Sequence, residues 1–130
     1  MRILIVDDSK AMRMIVAREL RSAGFSELLI AEASSGAEAI SVMRDFNPEL
    51  VLSDWNMPEM NGLELARHMT GLERVPAVIF VTAHEDYAVA AFELTAADYL
   101  LKPVRAERLK AALEKAVGSS PSRRKLRTSR

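Results

Sequence analysis

The sequence predicts an α/β domain in which five parallel strands form one sheet with helices on both faces. Apolar runs of three to six residues alternate five times with segments whose apolar residues recur at helical spacing, all within 130 residues. The runs lack the polar–apolar alternation of half-exposed strands, as is typical of strands buried on both faces. Strand–helix alternation requires parallel strands with right-handed crossovers, so we expect one doubly wound domain with one core.

Each element has a local signal in the sequence. The strand runs are residues 3–6, 28–33, 50–52, 77–81 and 99–101. Helices are predicted after them, with apolar stripes in residues 12–20, 39–43, 63–69, 86–94 and 109–116. Ser9 can cap the first helix by accepting a backbone N–H. Ser35 with Glu38 fits a capping box for the second helix, and Asn61 with Glu64 can cap the third.

The composition excludes several classes of protein. No segment approaches the roughly 18 apolar residues of a membrane span. No cysteine is present for a disulfide or a thiolate metal site, and no glycine-rich phosphate loop follows a strand. The chain opens on a strand-like run instead of a secretion leader, so we expect a cytoplasmic protein with no membrane partner.

The last thirteen residues differ from the rest of the chain. Gly118 is predicted to end the fifth helix, and residues 118–130 are rich in Ser, Pro and Arg, with five basic residues and no acidic one. This segment lacks apolar periodicity and is expected to be disordered, so the domain is predicted to span residues 1–117. We interpret the segment as a solubilising tail or an interdomain linker, with contact to nucleic acid or to an acidic partner as the alternative.

Polar residues stand at the carboxyl ends of four predicted strands. Asp7 and Asp8 follow the first, Asp54 the third, Thr82 the fourth and Lys102 the fifth. In a parallel sheet these ends share one edge, where open α/β sheets place their ligand sites. Clustered carboxylates repel one another and favour a hard cation, and Mg²⁺ suits an all-oxygen set. With a lysine nearby, the set points to phosphoryl chemistry in which the Asp54 carboxylate acts as the nucleophile.

Each of these residues also has a simpler interpretation. An aspartate after a strand is commonly a turn residue or a helix cap. Thr82 is compatible with a strand end, and Lys102 with a solvated surface charge. Their joint occurrence at successive strand ends favours the functional interpretation over these alternatives.

The same residues match a known family. Residues 3–8, 53–62, 82–83 and 102–103 resemble the receiver domain of bacterial two-component response regulators, and the resemblance covers residues 1 to about 117. It implies a flavodoxin-like sheet of order 2-1-3-4-5 with five helices. Residues 53–58 look like the single-domain chemotaxis regulator, whereas residues 81–84 and 97–104 look more like receivers attached to LytTR-type DNA-binding domains.

The resemblance implies a metal and phosphoryl site. Asp54 matches the phosphoacceptor. Asp7 and Asp8 match the acidic pair that holds Mg²⁺ together with Asp54 and a backbone carbonyl of Asn56. Lys102 matches the lysine of the family pattern, and its bond to the following proline is expected to be cis.

The resemblance also implies a switch. Thr82 matches the hydroxyl that moves toward the phosphoryl group, and Tyr99 matches the aromatic residue whose inward rotation follows. Their coupling alters a protein-binding surface made by the predicted fourth helix, fifth strand and fifth helix. Asn56 and His84 lie where the family tunes dephosphorylation, although His84 equally fits an ordinary loop histidine. Trp55, next to Asp54, is interpreted as a partner contact or a rim residue.

Three functions are compatible with these residues. The first is a signalling module that accepts a phosphoryl group from a histidine kinase or a histidine phosphotransfer protein, hydrolyses it slowly and is otherwise not an enzyme. The second is the receiver part of a LytTR-type transcriptional regulator without its DNA-binding domain, acting through phosphorylation-dependent homodimerisation. The third, a metal-dependent phosphohydrolase, is disfavoured because Asn56 occupies the position where such enzymes carry a second acid.

Overall fold

A computed structural model describes residues 1–25, 27–83 and 98–119 of the chain. The strands are β1 (Arg2–Val6), β2 (Leu29–Ala33), β3 (Leu50–Asp54), β4 (Ala77–Thr82) and β5 (Asp98–Leu101). The helices within these residues are α1 (Lys10–Ser22), α2 (Gly36–Phe46), α3 (Gly62–Met69) and α4 (Ala106–Ser119). Each strand prediction is therefore confirmed, with boundaries that shift by a residue or two.

The five strands form one parallel sheet in the order β2-β1-β3-β4-β5. This confirms the doubly wound arrangement and the flavodoxin-like strand order. The register pairs Val6 with Ser53, Asp54 with Val81, and Thr82 with Leu101. The carboxyl ends of β1, β3, β4 and β5 consequently lie side by side at one edge of the sheet.

The core consists of one apolar layer on each face of the sheet. Alternate residues of β1 point into different layers. Ile3 and Ile5 pack in the layer with α1 and α4, whereas Leu4 and Val6 pack in the layer with α2 and α3. All four side chains are at most 1% exposed. Burial on both faces explains why the strands are apolar throughout.

The helix starts follow the predicted caps. The Ser9 side chain accepts the Met12 N–H at 3.2 Å, and the Ser35 side chain accepts the Glu38 N–H at 3.1 Å. At α3 the two halves of a capping box are present, because Asn61 accepts the N–H of residue 64 and donates its own N–H to that residue's carboxylate. These caps fix where each helix leaves the edge of the sheet that carries the polar residues.

The last helix ends later than the sequence predicts. Helix α4 runs through Gly118 to Ser119, so the glycine lies in the last turn instead of just past it. The last turn of a helix lacks onward hydrogen bonds, which makes a glycine there inexpensive and the boundary soft. The predicted fourth helix, His84 and residues 120–130 lie outside the described residues, and the domain boundary at residue 117 stays a prediction.

Candidate functional site

Three carboxylates come together at the carboxyl edge of the sheet. Asp54 is the last residue of β3, and Asp7 and Asp8 directly follow β1. One carboxylate oxygen from each lies within 4.8 Å of the others. Asp7 and Asp54 are 4% and 7% exposed, whereas Asp8 is exposed to solvent. The convergence predicted from the strand ends is therefore present in the structure.

Lys102 supplies the positive charge of this cluster. Its Nζ donates to Asp7 Oδ2 at 3.2 Å and lies 3.5 Å from Asp54 Oδ1. Its backbone N–H donates to the carbonyl of Thr82 at 2.8 Å, and its peptide bond to Pro103 is cis, as expected. Among the described residues, one lysine thus faces two of the three carboxylates, and these carboxylates outnumber its positive charge.

Burial and repulsion change the acidity of Asp54. Burial of the carboxyl group raises its pKa above the usual 3.8, and the neighbouring Asp7 carboxylate raises that pKa further. The charge and hydrogen bond of Lys102 and the N–H of Trp55 lower the pKa without cancelling the rise. Ionisation of Asp54 in this site therefore carries a cost that a bound cation would relieve.

The donor atoms fit a hard divalent cation. Within the described residues, the candidate ligands at this edge are carboxylate oxygens and the backbone carbonyl of Asn56, and Asp8 is exposed to solvent, where waters can complete the coordination. Mg²⁺ prefers oxygen ligands and usually keeps several waters, so one or two carboxylates and a phosphate oxygen suffice. The residues present are thus compatible with Mg²⁺.

Asp7 is held from its side chain and from its backbone. Its Oδ1 accepts the Ser9 N–H at 2.9 Å, and its own N–H donates to the Ala33 carbonyl at 3.1 Å. The Asp7 carbonyl accepts a hydrogen bond of 2.7 Å from Arg13 Nη1. The sequence analysis missed Arg13. The only signal was a basic residue in the second turn of a helix that begins beside an acidic pair.

The segment that connects β3 to α3 packs closely against the backbone at the end of β3. Gly62 donates its N–H to the Trp55 carbonyl at 2.8 Å, and a Cβ at residue 62 would lie 2.8 Å from the backbone oxygen of Asp54. Only glycine permits this approach without a shift of the backbone. Asn56 is exposed at the start of the loop, and its role as a carbonyl ligand stays a prediction.

Trp55 corrects the sequence interpretation. The sequence predicts it on the surface, as a partner contact or a rim residue, but it is 4% exposed. Its ring meets Phe80 edge to face, with centroids 4.8 Å apart and planes at 70°, and both pack with Ala66 of α3. The reason is alternation, because the residue after Asp54 points to the opposite face of the sheet, where α3 lies.

The two predicted switch residues lie on adjacent strands. Thr82 ends β4 and is 1% exposed. Tyr99 pairs in register with Phe80 and packs, partly buried, against the cluster of Trp55, Ala66 and Phe80. His84, the predicted tuning residue, falls outside the described residues. The structure therefore connects Tyr99 to the residue next to Asp54 through one aromatic cluster.

Comparisons with known proteins agree with this geometry. The sequence profile of the response regulator receiver domain matches residues 3–114. A positive alginate biosynthesis regulatory protein of Pseudomonas aeruginosa is 42% identical over 123 residues, which cover 95% of this chain and 49% of that protein. The sensory transduction protein LytT of Enterococcus faecalis is 38% identical over 120 residues, 89% of this chain and 48% of that protein. The chain spans about half the length of these curated relatives.

Solved structures give the same result. A response regulator receiver domain protein from Clostridium thermocellum superposes with a TM-score of 0.81 at 29% identity, covering 96% of this chain and 97% of that one. The chemotaxis response regulator CheY4 of Vibrio cholerae superposes with a TM-score of 0.76 at 25% identity, covering 88% and 97%. Within the described residues, no helix is both long and apolar enough to cross a membrane. The chain belongs to the response regulator receiver domain family, whose members are regulators rather than enzymes that turn over a substrate.

Proposed function

We propose that Asp54 accepts a phosphoryl group from a phosphohistidine of a partner kinase or phosphotransfer protein. An Asp54 carboxylate oxygen attacks phosphorus and forms the new P–O bond. The P–N bond of the phosphohistidine breaks, and the released imidazole takes up a proton from water. The product is an aspartyl phosphate at the end of β3.

The observation that carries this proposal is the convergence of three carboxylates and one lysine at a single edge of the sheet. Asp54 is the most suitable acceptor because it ends the central strand β3, with β1 and β4 on either side. Asp7 and Asp8 flank it from β1, and Lys102 lies 3.5 Å from its Oδ1. Fixed charges around a buried acceptor are what phosphoryl transfer requires, since most of its catalysis is positioning and charge stabilisation.

The residues around Asp54 divide the work of the transfer. Lys102 carries the positive charge that stabilises the oxygens of the transferred group. Asp7, Asp8 and Asp54, with a carbonyl of Asn56, would hold Mg²⁺, which when bound neutralises negative charge on the phosphoryl group. Slow hydrolysis of the product restores the acceptor, and we assign its tuning to Asn56 and His84.

The proposed output is a change of protein-binding surface. Thr82 ends β4 beside the acceptor, and its hydroxyl is suited to move toward phosphoryl oxygens. Tyr99 lies on the neighbouring strand within the aromatic cluster that begins at Trp55. Phosphorylation would bias two arrangements of this cluster and so the surface that includes β5 and α4.

The test is phosphoryl uptake from a small acyl-phosphate donor in the presence of Mg²⁺, followed by intact-protein mass spectrometry. Wild type is expected to gain one phosphoryl group, and Asp54→Asn none. Asp45→Asn makes the same chemical change at an exposed position of α2 and serves as the matched control. Uptake by Asp54→Asn at the wild-type level would reject the proposal.

A second candidate function follows from the relatives. Transcriptional regulatory protein LytR of Staphylococcus aureus is 37% identical over 116 residues, and the match covers 46% of that protein. The chain could thus serve as the input domain of a transcriptional regulator that dimerises when phosphorylated. The mass in solution, measured with and without beryllofluoride as a phosphoryl mimic, distinguishes this candidate function from the first. An unchanged mass counts against the phosphorylation-dependent dimer.

A further inference from the structure

Arg13 connects the edge of the sheet to the acidic cluster. Its side chain is 14% exposed and makes two charge-assisted contacts, each from a different nitrogen of the guanidinium group. Nη1 donates to the Asp7 carbonyl at 2.7 Å, and Nε donates to Glu32 Oε1 at 2.9 Å. Both partners lie outside α1, since Asp7 follows β1 and Glu32 lies on the edge strand β2. The guanidinium is therefore fixed from two sides.

The carbonyl that Arg13 holds belongs to the peptide unit joining Asp7 to Asp8. Asp7 is additionally fixed by its hydrogen bonds to Ser9, Ala33 and Lys102. The exposed Asp8 carboxylate has no hydrogen-bond partner among the described residues, so its direction is set by the backbone that precedes it. Rotation of that peptide unit would change the backbone dihedral angles of Asp7 and Asp8, on which the directions of their side chains depend.

Glu32 offsets the charge that this arrangement brings near the site. An unpaired guanidinium beside three carboxylates would compete with a cation for the same negative field. Glu32 pairs with Arg13 at 2.9 Å and so lowers that competition, although its carboxylate is 45% exposed and the pairing is screened. The pair thus supplies a rigid donor with little net charge.

The geometry points to Arg13 as a positioning residue for the divalent-ion site, acting by fixing the peptide unit between Asp7 and Asp8, with Glu32 holding the guanidinium in place. This inference rests on the proposed function, because it concerns the ion that assists phosphoryl transfer. Neither Arg13 nor Glu32 touches the acceptor or the transferred group in this arrangement.

Positioning and simple electrostatics predict opposite results when the positive charge of Arg13 is removed. If Arg13 acted only through its charge, Arg13→Met would remove a competing cation and Mg²⁺ would bind more tightly. If Arg13 positions the ligand peptide, the same change weakens Mg²⁺ binding. Loss of partners that orient metal ligands commonly costs roughly 10- to 100-fold in affinity.

The experiment measures Mg²⁺ affinity of the full chain without any phosphoryl donor. Trp55 is the single tryptophan and directly follows Asp54, so its fluorescence is the first readout of ion binding, and calorimetry is a second readout that does not depend on Trp55. The variants are Arg13→Met, Arg13→Lys and Glu32→Gln, and the matched control is Arg18→Met. Arg18 is an exposed arginine on the same helix. Unfolding in EDTA, measured for each variant, separates affinity from stability.

We expect Arg13→Met to raise the Mg²⁺ dissociation constant about tenfold or more while the variant remains folded in EDTA. Arg13→Lys, which can reach one partner but not both, is expected to fall between wild type and Arg13→Met. Glu32→Gln should weaken binding by a smaller factor, and Arg18→Met should leave it within twofold.

Unchanged or tighter binding by Arg13→Met overturns the inference. If that variant does not fold, Arg13→Lys decides, since a dissociation constant threefold or more above wild type supports the inference and the wild-type value overturns it. Failure of wild type itself to bind Mg²⁺ would contradict the proposed function instead, so the two failures are distinguishable.

Discussion

Removing the charge of Asp54 should stabilise the protein when no ion is bound. Asp54 Oδ1 lies 3.5 Å from Lys102 Nζ, and its carboxylate lies within 4.8 Å of those of Asp7 and Asp8. At an effective dielectric constant of about 20, each repulsion at that separation is about 3.5 kcal/mol and the attraction is about 4.7 kcal/mol. Two repulsions outweigh one attraction by about 2 kcal/mol, before any desolvation of the buried carboxylate.

We therefore expect Asp54→Asn to raise the free energy of unfolding in EDTA by about 1–2 kcal/mol, after allowance for screening at the exposed Asp8. This corresponds to a rise of Tm of about 4 °C per kcal/mol for a domain of this size. Denaturant unfolding and thermal melting measure the change. Asp45→Asn, on the exposed side of α2, should change the free energy of unfolding by no more than about 0.5 kcal/mol.

The pH dependence gives the effect a second signature. Since the pKa of Asp54 is raised in the folded state, proton binding stabilises the fold below pH 3.8, and this contribution is lost as pH rises through the higher folded-state pKa. The gain in free energy of unfolding from Asp54→Asn should thus be small near pH 4 and grow toward neutral pH.

Added Mg²⁺ should reduce the difference in free energy of unfolding between Asp54→Asn and wild type, because it stabilises wild type. At ten times its dissociation constant it stabilises wild type by about 1.4 kcal/mol. A less stable Asp54→Asn at neutral pH in EDTA would refute this account of the charges.

Three other substitutions test separate contacts. Lys102→Met should slow phosphoryl uptake about 100-fold in a mass-spectrometric time course, because its Nζ is the charge nearest the acceptor, and an unchanged rate would remove the lysine from the mechanism. Arg108→Met should cost about 1–2 kcal/mol at neutral pH, discounted because the guanidinium is 52% exposed, since it donates two hydrogen bonds to the buried Asp98. Burial, the largest single effect, raises the pKa of Asp98, but the hydrogen bonds from Arg108 and from the Tyr99 N–H, with the charges of Arg108 and Lys115, together outweigh it and lower that pKa. In denaturant titrations the loss of stability should therefore persist above pH 3.8 and shrink as pH falls through the lower folded-state pKa, and a loss independent of pH would argue against the pair. Gly62→Ala should lower stability by about 1–3 kcal/mol, because its Cβ would lie 2.8 Å from the backbone oxygen that ends β3, and Gly71→Ala, with 3.6 Å to its nearest neighbour, should cost far less in the same melt.

The edge of the sheet that carries the site was predictable because it depends on local signals. Each of these apolar strands is followed by a polar residue, and in a parallel sheet the carboxyl ends of the strands lie at the same edge. Asp7, Asp54 and Lys102 could therefore be associated with one another from the amino-acid sequence alone. The strand order could not be predicted from the alternation alone, since several orders satisfy it, and it came from the family resemblance.

Contacts that depend on register between remote segments were missed. Arg13 reaches Glu32 because Ile5 pairs with Glu32 in the β1–β2 ladder, which places that carboxylate beside the first helix. Asp98 and Arg108 meet because α4 crosses back over the start of β5. Neither contact has a spacing rule in the sequence, because both follow from how elements pack after the sheet has formed.

The most direct test of the central claim locates the phosphoryl group itself. After incubation with an acyl-phosphate donor and Mg²⁺, borohydride reduces an aspartyl phosphate to homoserine, and peptide mass spectrometry identifies the residue that carries it. The account predicts homoserine at position 54 and at no other aspartate. Homoserine at Asp7 or Asp8, or none anywhere despite uptake of phosphate, would contradict it.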